Sequence, residues 1–118
     1  MKVEPVDERD SCWEDSRPRI RVYFFAGEGP GHMTWTYDIT DTEVLDVLRW
    51  AQMEAGPDRM LAVALVRDDI PVAGEQVRRG LVWLLGMDAN DTASTESEEL
   101  REKMLRRRGR ELVRPDER

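Results

Sequence analysis

Residues 60–66 read MLAVALV, an uninterrupted apolar segment bounded by Arg59 and Arg67. The segment is short for a helix, and its apolar residues fill every position instead of alternating with polar ones. That pattern is typical of a strand that is covered on both faces. We therefore expect this segment to form the centre of a sheet, and the neighbouring elements can be placed relative to it.

Two strands are predicted before this segment. Residues 19–26, RIRVYFFA, alternate at first between apolar and polar positions, and residues 33–39, MTWTYDI, alternate throughout. A period of two places successive side chains on opposite faces of a strand. The connection between them, GEGPGHM at residues 27–33, carries the glycine and proline that turns favour, so the pair is predicted to be a β-hairpin.

A helix is predicted to follow the hairpin, because the apolar spacing changes after residue 40. Its apolar positions are Val44, Val47, Leu48, Ala51 and Ala55. Thr40 with Glu43 three residues later matches a capping box, and Gly56 followed by Pro57 is a helix-ending pair. The sequence thus predicts one well-formed amphipathic helix between the hairpin and the central strand.

The C-terminal half is predicted to add a strand and a charged helix. Residues 81–85, LVWLL, read as a strand, with a short buried helix as the alternative. Thr95 and Glu98 form a second capping box, and the helix that they open is acidic at its start and basic at its end, as the helix dipole favours. Its apolar stripe is thin, with Leu100 and Met104 as the main members, so we expect it to pack lightly.

The element order β-β-α-β-β-α predicts an α+β fold, with a mostly antiparallel sheet of about four strands packed on one main helix and a charged C-terminal helix. Residues 1–18 are predicted to be a flexible arm, 19–105 a single domain and 106–118 a basic, frayed tail. Two strands are apolar on both faces, yet only one helix is strongly amphipathic. A bare sheet face is therefore expected, and a homodimer formed through that face would cover it.

The composition of the chain indicates the cellular location and the kind of partner that we expect for this protein. The chain has 118 residues, one cysteine, a formal net charge of −7 and an acidic N-terminal segment, so we expect a cytoplasmic protein that has no disulfide and does not enter a membrane. Residues 1–100 carry a net charge of −11 and residues 101–118 a net charge of +4. An acidic body favours a basic protein partner and disfavours nucleic acid.

The loop at residues 27–33 raises the question of phosphate binding or histidine chemistry. A P-loop pattern that starts at Gly27 needs a glycine at position 32, and so does a dinucleotide-binding pattern that uses Gly27 and Gly29. His32 occupies that position in both cases. A strand is also predicted after the loop, whereas both motifs are followed by a helix. A lone histidine also lacks an identifiable catalytic partner. Gly27, Gly29, Gly31 and His32 are therefore expected to form a hairpin loop, either as a plain turn or as a rim that touches a partner.

Carboxylates offer two weak metal patterns. Residues 88–99, DANDTASTESEE, have the length of a calcium loop, but Ala93 stands where the sharp turn needs glycine. Asp68 and Asp69 follow one apolar strand and Asp88 follows another, which separates them if the strands pair antiparallel. We expect no metal and no other cofactor, and the acids are predicted to be solvated.

The remaining candidates are a basic cluster and a tryptophan. Residues 106–110 read RRRGR, so Arg106, Arg107, Arg108 and Arg110 form the one basic cluster. Arginines at a helix end stabilise the helix in their own right, and no aromatic residue accompanies them for base stacking. Trp50 falls at the margin of the helix stripe, and tryptophan is enriched at protein interfaces.

The sequence therefore favours a non-catalytic protein–protein interaction or regulatory module that binds a partner, with Trp50 and the four arginines as candidate contacts. The alternative is a nucleic-acid-associated accessory protein that uses the arginine-rich tail. A small enzyme that uses His32 or the Asp carboxylates is the further alternative.

Overall fold

The structure, a computed structural model, describes residues 1–27, 31–69, 73–91 and 95–115. It confirms the α+β class and the order β-β-α-β-β-α, preceded by a short 3-10 helix at Glu8–Asp10. The strands and helices are β1 (Arg19–Ala26), β2 (Met33–Ile39), α1 (Val44–Ala55), β3 (Met60–Asp68), β4 (Arg79–Leu85) and α2 (Thr95–Arg106). The segment LVWLL thus belongs to a strand and not to a helix.

All four strands form one antiparallel sheet in the order β2-β1-β3-β4. The centre of the sheet is the pair β1 and β3, in which Val22 lies opposite Val63 and also opposite Tyr37 of β2. The pairing of β3 with β4 shifts register between Val63 and Ala64. The predicted central strand is therefore one of two inner strands, with β2 and β4 at the edges.

Helix α1 covers one face of the sheet, here called the α1 face. From the sheet, this core contains Ile20, Val22, Phe24, Leu61 and Val63, and from the helix it contains Val47, Ala51 and Ala55. The three helix residues are spaced four apart, so they lie on one side of the helix and meet the sheet together. Removal of this apolar surface from water is the main favourable term for this half of the fold.

Helix α2 covers the opposite face, here called the α2 face. Phe25, Met60 and Ala62 of the sheet pack there against Met87, Ala89 and Met104. The sequence predicts light packing for α2, but Met104 is only 1% exposed. Gly86 allows this close approach: a Cβ atom there would lie 3.1 Å from Cγ and Sδ of Met104, and its φ of +66° is one that glycine adopts without strain.

The ends of α1 agree only in part with prediction. The helix stops at Gly56, whose φ is +63°. Its N-cap is Glu43, which makes no side-chain capping bond, so the predicted box of Thr40 and Glu43 is wrong. Instead, Thr42 Oγ1 donates to a carboxylate oxygen of Asp46 at 2.9 Å, because the chain enters the helix later than the motif implies.

The residues after α2 cross from the α2 face to the α1 face. This segment, residues 107–115, is here called the C-terminal strap. It passes the end of the sheet at Gly109, where a Cβ atom would lie 3.4 Å from Pro57, and Leu112 then packs onto the core of the α1 face. Gln52 of α1 holds the strap by three hydrogen bonds, to the backbone N–H groups of Leu112 and Val113 and to the carbonyl of Val113. The composition of residues 106–118 predicts a frayed tail, but these contacts hold part of that segment against the body of the protein.

The N-terminal arm makes little contact with this body. Residues 1–17 are all exposed, including Cys12, and the guanidinium of Arg67 lies 5.2 Å from the ring centre of Trp13. The mobility of the arm stays a prediction. Across the part of the chain that the structure describes, no helix has the length and apolar character needed to cross a bilayer.

Candidate functional site

The loop around His32 is held as a turn by hydrogen bonds within the protein. Nδ1 of His32 lies 3.0 Å from the carbonyl oxygen of Gly27, at the other end of the loop. The backbone N–H of His32 donates to Asn90 at 2.6 Å, and the Asn90 amide donates to Thr34 Oγ1 at 3.1 Å. The imidazole therefore bridges the two ends of the loop, and Asn90 fastens the loop to the segment after β4.

Gly27 and Gly31, at the two ends of the described part of this loop, have φ angles of +101° and +86°, which explains the glycines by backbone geometry. Gly29 lies outside the described residues. The Gly27 carbonyl occupies one ring nitrogen of His32, and no carboxylate or hydroxyl is bonded to the ring among the residues that the structure describes. Among the described residues, His32 has no partner that would orient it as a catalytic base, and the loop leads into strand β2 where a phosphate site would need a helix N-terminus.

The carboxylates at the ends of β3 and β4 lie apart. Asp68 is paired with Arg79 across these strands, whereas Asp88 follows β4 at the opposite end of the sheet. The guanidinium of Arg79 donates to both carboxylate oxygens of Asp68 and lowers the pKa of that carboxyl. Within the described ranges, no group of three or more His, Cys, Asp or Glu side chains is arranged to hold a metal ion.

The calcium pattern of residues 88–99 is described only at its two ends, because residues 92–94 lie outside the described part. At its start, Asp88 accepts a hydrogen bond from the backbone N–H of Asn90 at 2.9 Å. The side-chain oxygen of Asn90 accepts from His32. Asn90 therefore serves the loop contact, which explains its position without a metal.

Trp50 packs at the edge of the sheet beneath an open hollow. Its ring centre lies 5.8 Å from that of Phe24 and 5.6 Å from that of Tyr37. The hollow has a volume of about 460 Å³ and is also lined by Asp38 and Asp46. The half-buried Trp50 is thus mainly a packing residue that lines a hollow whose two carboxylates are paired with Arg21 and Arg49.

Arg107, Arg108 and Arg110 of the basic cluster line one pocket. Arg59, which the sequence does not indicate as a candidate, lines the same pocket. This arginine pocket, of about 430 Å³, is lined by Arg59, Arg107, Arg108 and Arg110, and Leu61, Leu85, Met104 and Leu112 contribute apolar lining. Arg106 is exposed at the end of α2 and does not line it. The strap forms the pocket by turning back past Pro57 after α2.

A second concavity lies on the α1 face, beside β4. This apolar groove, of about 600 Å³, is lined only by apolar residues: Pro18, Ile20, Val44, Leu48, Val63, Leu65, Leu84, Leu85, Leu112 and Val113. Val44 and Leu84 on its rim are 45% and 54% exposed. Val44 and Leu48 of α1 form one side of the groove, and its exposed rim leaves an apolar surface open to solvent among the described residues.

Sequence reasoning did not identify the groove as a site. The apolar run LVWLL predicts a strand, but only the pairing order shows that this strand lies at the edge of the sheet. Comparisons of this chain with protein-family models, with curated proteins and with solved structures find no match.

Proposed function

We propose that this protein is a non-catalytic binding module that receives an extended apolar segment of a partner protein in the apolar groove. The observation that carries the proposal is the groove itself, a concavity of about 600 Å³ lined entirely by apolar side chains and open at the sheet edge. Exposed apolar concavities of this kind are a common property of protein-interaction sites.

The edge of the sheet supports an extended partner. Strand β4 is last in the order β2-β1-β3-β4, so the outward backbone N–H and C=O groups of this strand pair with no strand among the described residues. The exposed side chains of Val82 and Leu84 line this edge. An incoming strand could pair with this backbone while its side chains enter the groove, which is the usual form of β-strand addition.

The charge around the groove favours a basic partner. Asp41 and Glu43 are exposed just before α1, next to the groove residue Val44, whereas Asp46 in the first turn is already paired with Arg49. The whole chain also carries a formal net charge of −7. A partner segment that places apolar side chains in the groove and Lys or Arg beside these acids would match both surfaces, and the same charge opposes nucleic acid as the principal partner.

The test compares three immobilised proteins in cell extract at low and high salt: the wild type, Leu84→Asp and Val77→Asp. Val77 is exposed and precedes β4 without lining the groove, so its substitution is a matched control. We expect proteins that the wild type and Val77→Asp retain, that Leu84→Asp loses, and that high salt weakens. The proposal fails if no retained protein distinguishes the two variants.

The groove and the β4 edge are also compatible with binding a second copy of the chain. That arrangement would be a homodimer formed through the sheet. Sedimentation of the same three proteins over a range of concentrations separates this outcome. A dimer that forms in the wild type and Val77→Asp but not in Leu84→Asp identifies the partner as another copy, whereas three monomers leave a different protein as the partner.

A further inference from the structure

The arginine pocket brings together four arginines that form no ion pair with any carboxylate among the described residues. Five other arginines of the described chain form ion pairs: Arg19 and Arg21 with Asp38, Arg49 with Asp46, Arg79 with Asp68, and Arg9 with Asp7. None of Arg59, Arg107, Arg108 and Arg110 lies within ion-pair distance of a carboxylate among the described residues. Glu111 also lines the pocket, so four guanidinium groups share it with one carboxylate and the pocket is positively charged in a chain that holds 25 acidic side chains.

Helix-end stabilisation explains two of these arginines. Arg59 donates to the carbonyls of Glu54 and Ala55 at the end of α1, and Arg108 donates to the carbonyl of Leu105 near the end of α2. Such contacts satisfy the free carbonyls of a helix C-terminus. They do not explain Arg107 and Arg110, whose guanidinium groups make no hydrogen bond within the described part of the protein.

Arg59 is also held in a fixed orientation. Its guanidinium lies 4.6 Å from the ring centre of Phe24 and 5.1 Å from that of Trp35. Contacts with two aromatic rings and two carbonyls reduce the entropy that this side chain would lose on binding a ligand. The pocket thus combines one preorganised guanidinium with two unpaired ones, over apolar side chains.

We propose that the arginine pocket binds a small phosphorylated ligand that also carries an apolar or aromatic group. Guanidinium groups bind phosphate oxygens by paired, charge-assisted hydrogen bonds, and Arg107 and Arg110 have donors free for this purpose. Leu61, Leu85, Met104 and Leu112 offer apolar contact to the rest of the ligand. The volume of about 430 Å³ is within the range of sites for small molecules.

The charge of the whole molecule favours a small ligand over a nucleic-acid strand. A long polyanion that reached Arg110 would extend over a body whose first 100 residues carry a net charge of −11. A ligand contained in the pocket avoids this repulsion. The inference rests on the arginines of the pocket, none of which lines the apolar groove, although Leu85 and Leu112 line both concavities.

The test measures binding of ADP, inorganic pyrophosphate and adenosine by titration calorimetry at low and high salt. We expect ADP to bind most tightly, pyrophosphate less tightly and adenosine not measurably, with affinity falling as salt rises. The double variant Arg107→Ala/Arg110→Ala should weaken ADP binding by about tenfold or more, because each lost arginine removes charge-assisted hydrogen bonds. Arg106→Ala, which removes an arginine beside the pocket but outside it, should bind as the wild type does.

Three results would overturn the proposal. One is the absence of binding by all three probes at low salt to protein whose thermal unfolding is normal. Another is an equal loss of affinity in Arg106→Ala and in the double variant, which would indicate unspecific attraction to the basic segment. The third is tight binding of a single-stranded oligonucleotide, lost in the double variant, by a protein that binds neither ADP nor pyrophosphate; that result would favour the nucleic-acid alternative.

Discussion

At the scale of single residues, the best-defined polar contact joins β1 to β2. Arg21 and Asp38 lie directly opposite each other, and Arg21 donates from Nε and Nη2 to the two carboxylate oxygens at 2.6 and 3.0 Å. These hydrogen bonds lower the pKa of Asp38, and burial opposes that effect only in part. The pair therefore stabilises the hairpin while Asp38 is ionised.

We predict that Asp38→Asn lowers the free energy of unfolding at neutral pH by about 1 kcal/mol, a value reduced by the partial exposure of the pair. Because the folded-state pKa of Asp38 lies below its ordinary value, the contribution of the carboxylate is complete above that value and is lost as pH falls through the folded pKa. The difference from the wild type should shrink in acid. Urea unfolding across acidic and neutral pH measures it.

The control for this experiment is Asp69→Asn. Asp69 is exposed, and its carboxylate makes no hydrogen bond within the described residues, so the same chemical change should alter stability little at any pH. If the two variants lose stability equally, the contact between Arg21 and Asp38 is not the cause.

Gln52 is the second residue whose role is clear from its contacts. Its side chain donates to the Val113 carbonyl at 2.7 Å and accepts from the backbone N–H groups of Leu112 and Val113 at 2.9 and 3.1 Å. An amide side chain is well suited to this task, because it offers both a donor and an acceptor to an extended backbone.

We predict that Gln52→Ala destabilises the protein by about 1–3 kcal/mol, since three half-buried hydrogen bonds are lost together. Met53→Ala, on the adjacent and exposed position of the same helix, should change stability by less than about 0.5 kcal/mol. Amide exchange of residues 112 and 113 gives a direct readout: it should accelerate in Gln52→Ala and not in Met53→Ala.

At the scale of elements, α2 shows how a weak sequence signal can hide a well-packed helix. Its apolar stripe is thin, but Met104 enters the space over Ala62 and Gly86 and is almost completely buried. This long flexible side chain fills the space opposite two small residues, and Leu100 packs beside it against the same core. Sequence periodicity shows which positions are apolar, but it does not show how deeply each side chain is buried.

We predict that Met104→Ala costs about 2–5 kcal/mol, the usual range for truncating a fully buried large side chain. The neighbouring Leu105→Ala should cost under about 1 kcal/mol, because Leu105 is exposed. Chemical denaturation of both variants tests this expectation. Similar losses for the two would mean that α2 does not pack through Met104.

The sequence predicts the strands more accurately than it predicts the start of α1. The alternation in β2 follows from pleating alone, so it fixes both the element and the residues on each face. The capping motif at Thr40 is a local preference, and the chain overrides it when Glu43 becomes the N-cap and Thr42 bonds to Asp46 instead. Patterns that rest on a core are therefore more reliable here than patterns that rest on one hydrogen bond.

At the scale of the whole molecule, the C-terminal strap connects the two faces of the sheet. It leaves α2 on one face and packs Leu112 against the core of the other face. The strap lines both the arginine pocket and the apolar groove. Both candidate sites thus depend on the same segment.

We predict that deletion of residues 111–118 lowers the free energy of unfolding at least as much as Gln52→Ala does, because it removes the same hydrogen bonds and also the apolar contacts of Leu112. The two changes should not be additive: in the truncated chain, Gln52→Ala should cost less than half of its cost in the full chain. Denaturant unfolding of the wild type, Gln52→Ala, the truncated chain and the truncated chain with Gln52→Ala measures this double-mutant cycle. Full additivity would show that Gln52 acts elsewhere.

Local sequence patterns are sufficient to predict the element order and the α+β class, because alternation and helical spacing are properties of neighbouring residues along the chain. The hairpin is predicted in the same way, since two strand-like segments, residues 19–26 and 33–39, flank a short loop that contains glycine and proline. These features depend on local geometry and not on which distant segments meet.

Local patterns do not predict which face each helix covers, which strand lies at the edge, or that Arg59 joins Arg107, Arg108 and Arg110 around one pocket; these features appear only in the folded chain. The physical reason is that these contacts join residues far apart in the chain, and their free energies depend on burial and distance in space. A run such as RRRGR has the same local sequence whether it frays into solvent or turns back past Pro57, and the packing of Leu112 together with the hydrogen bonds of Gln52 selects the second arrangement.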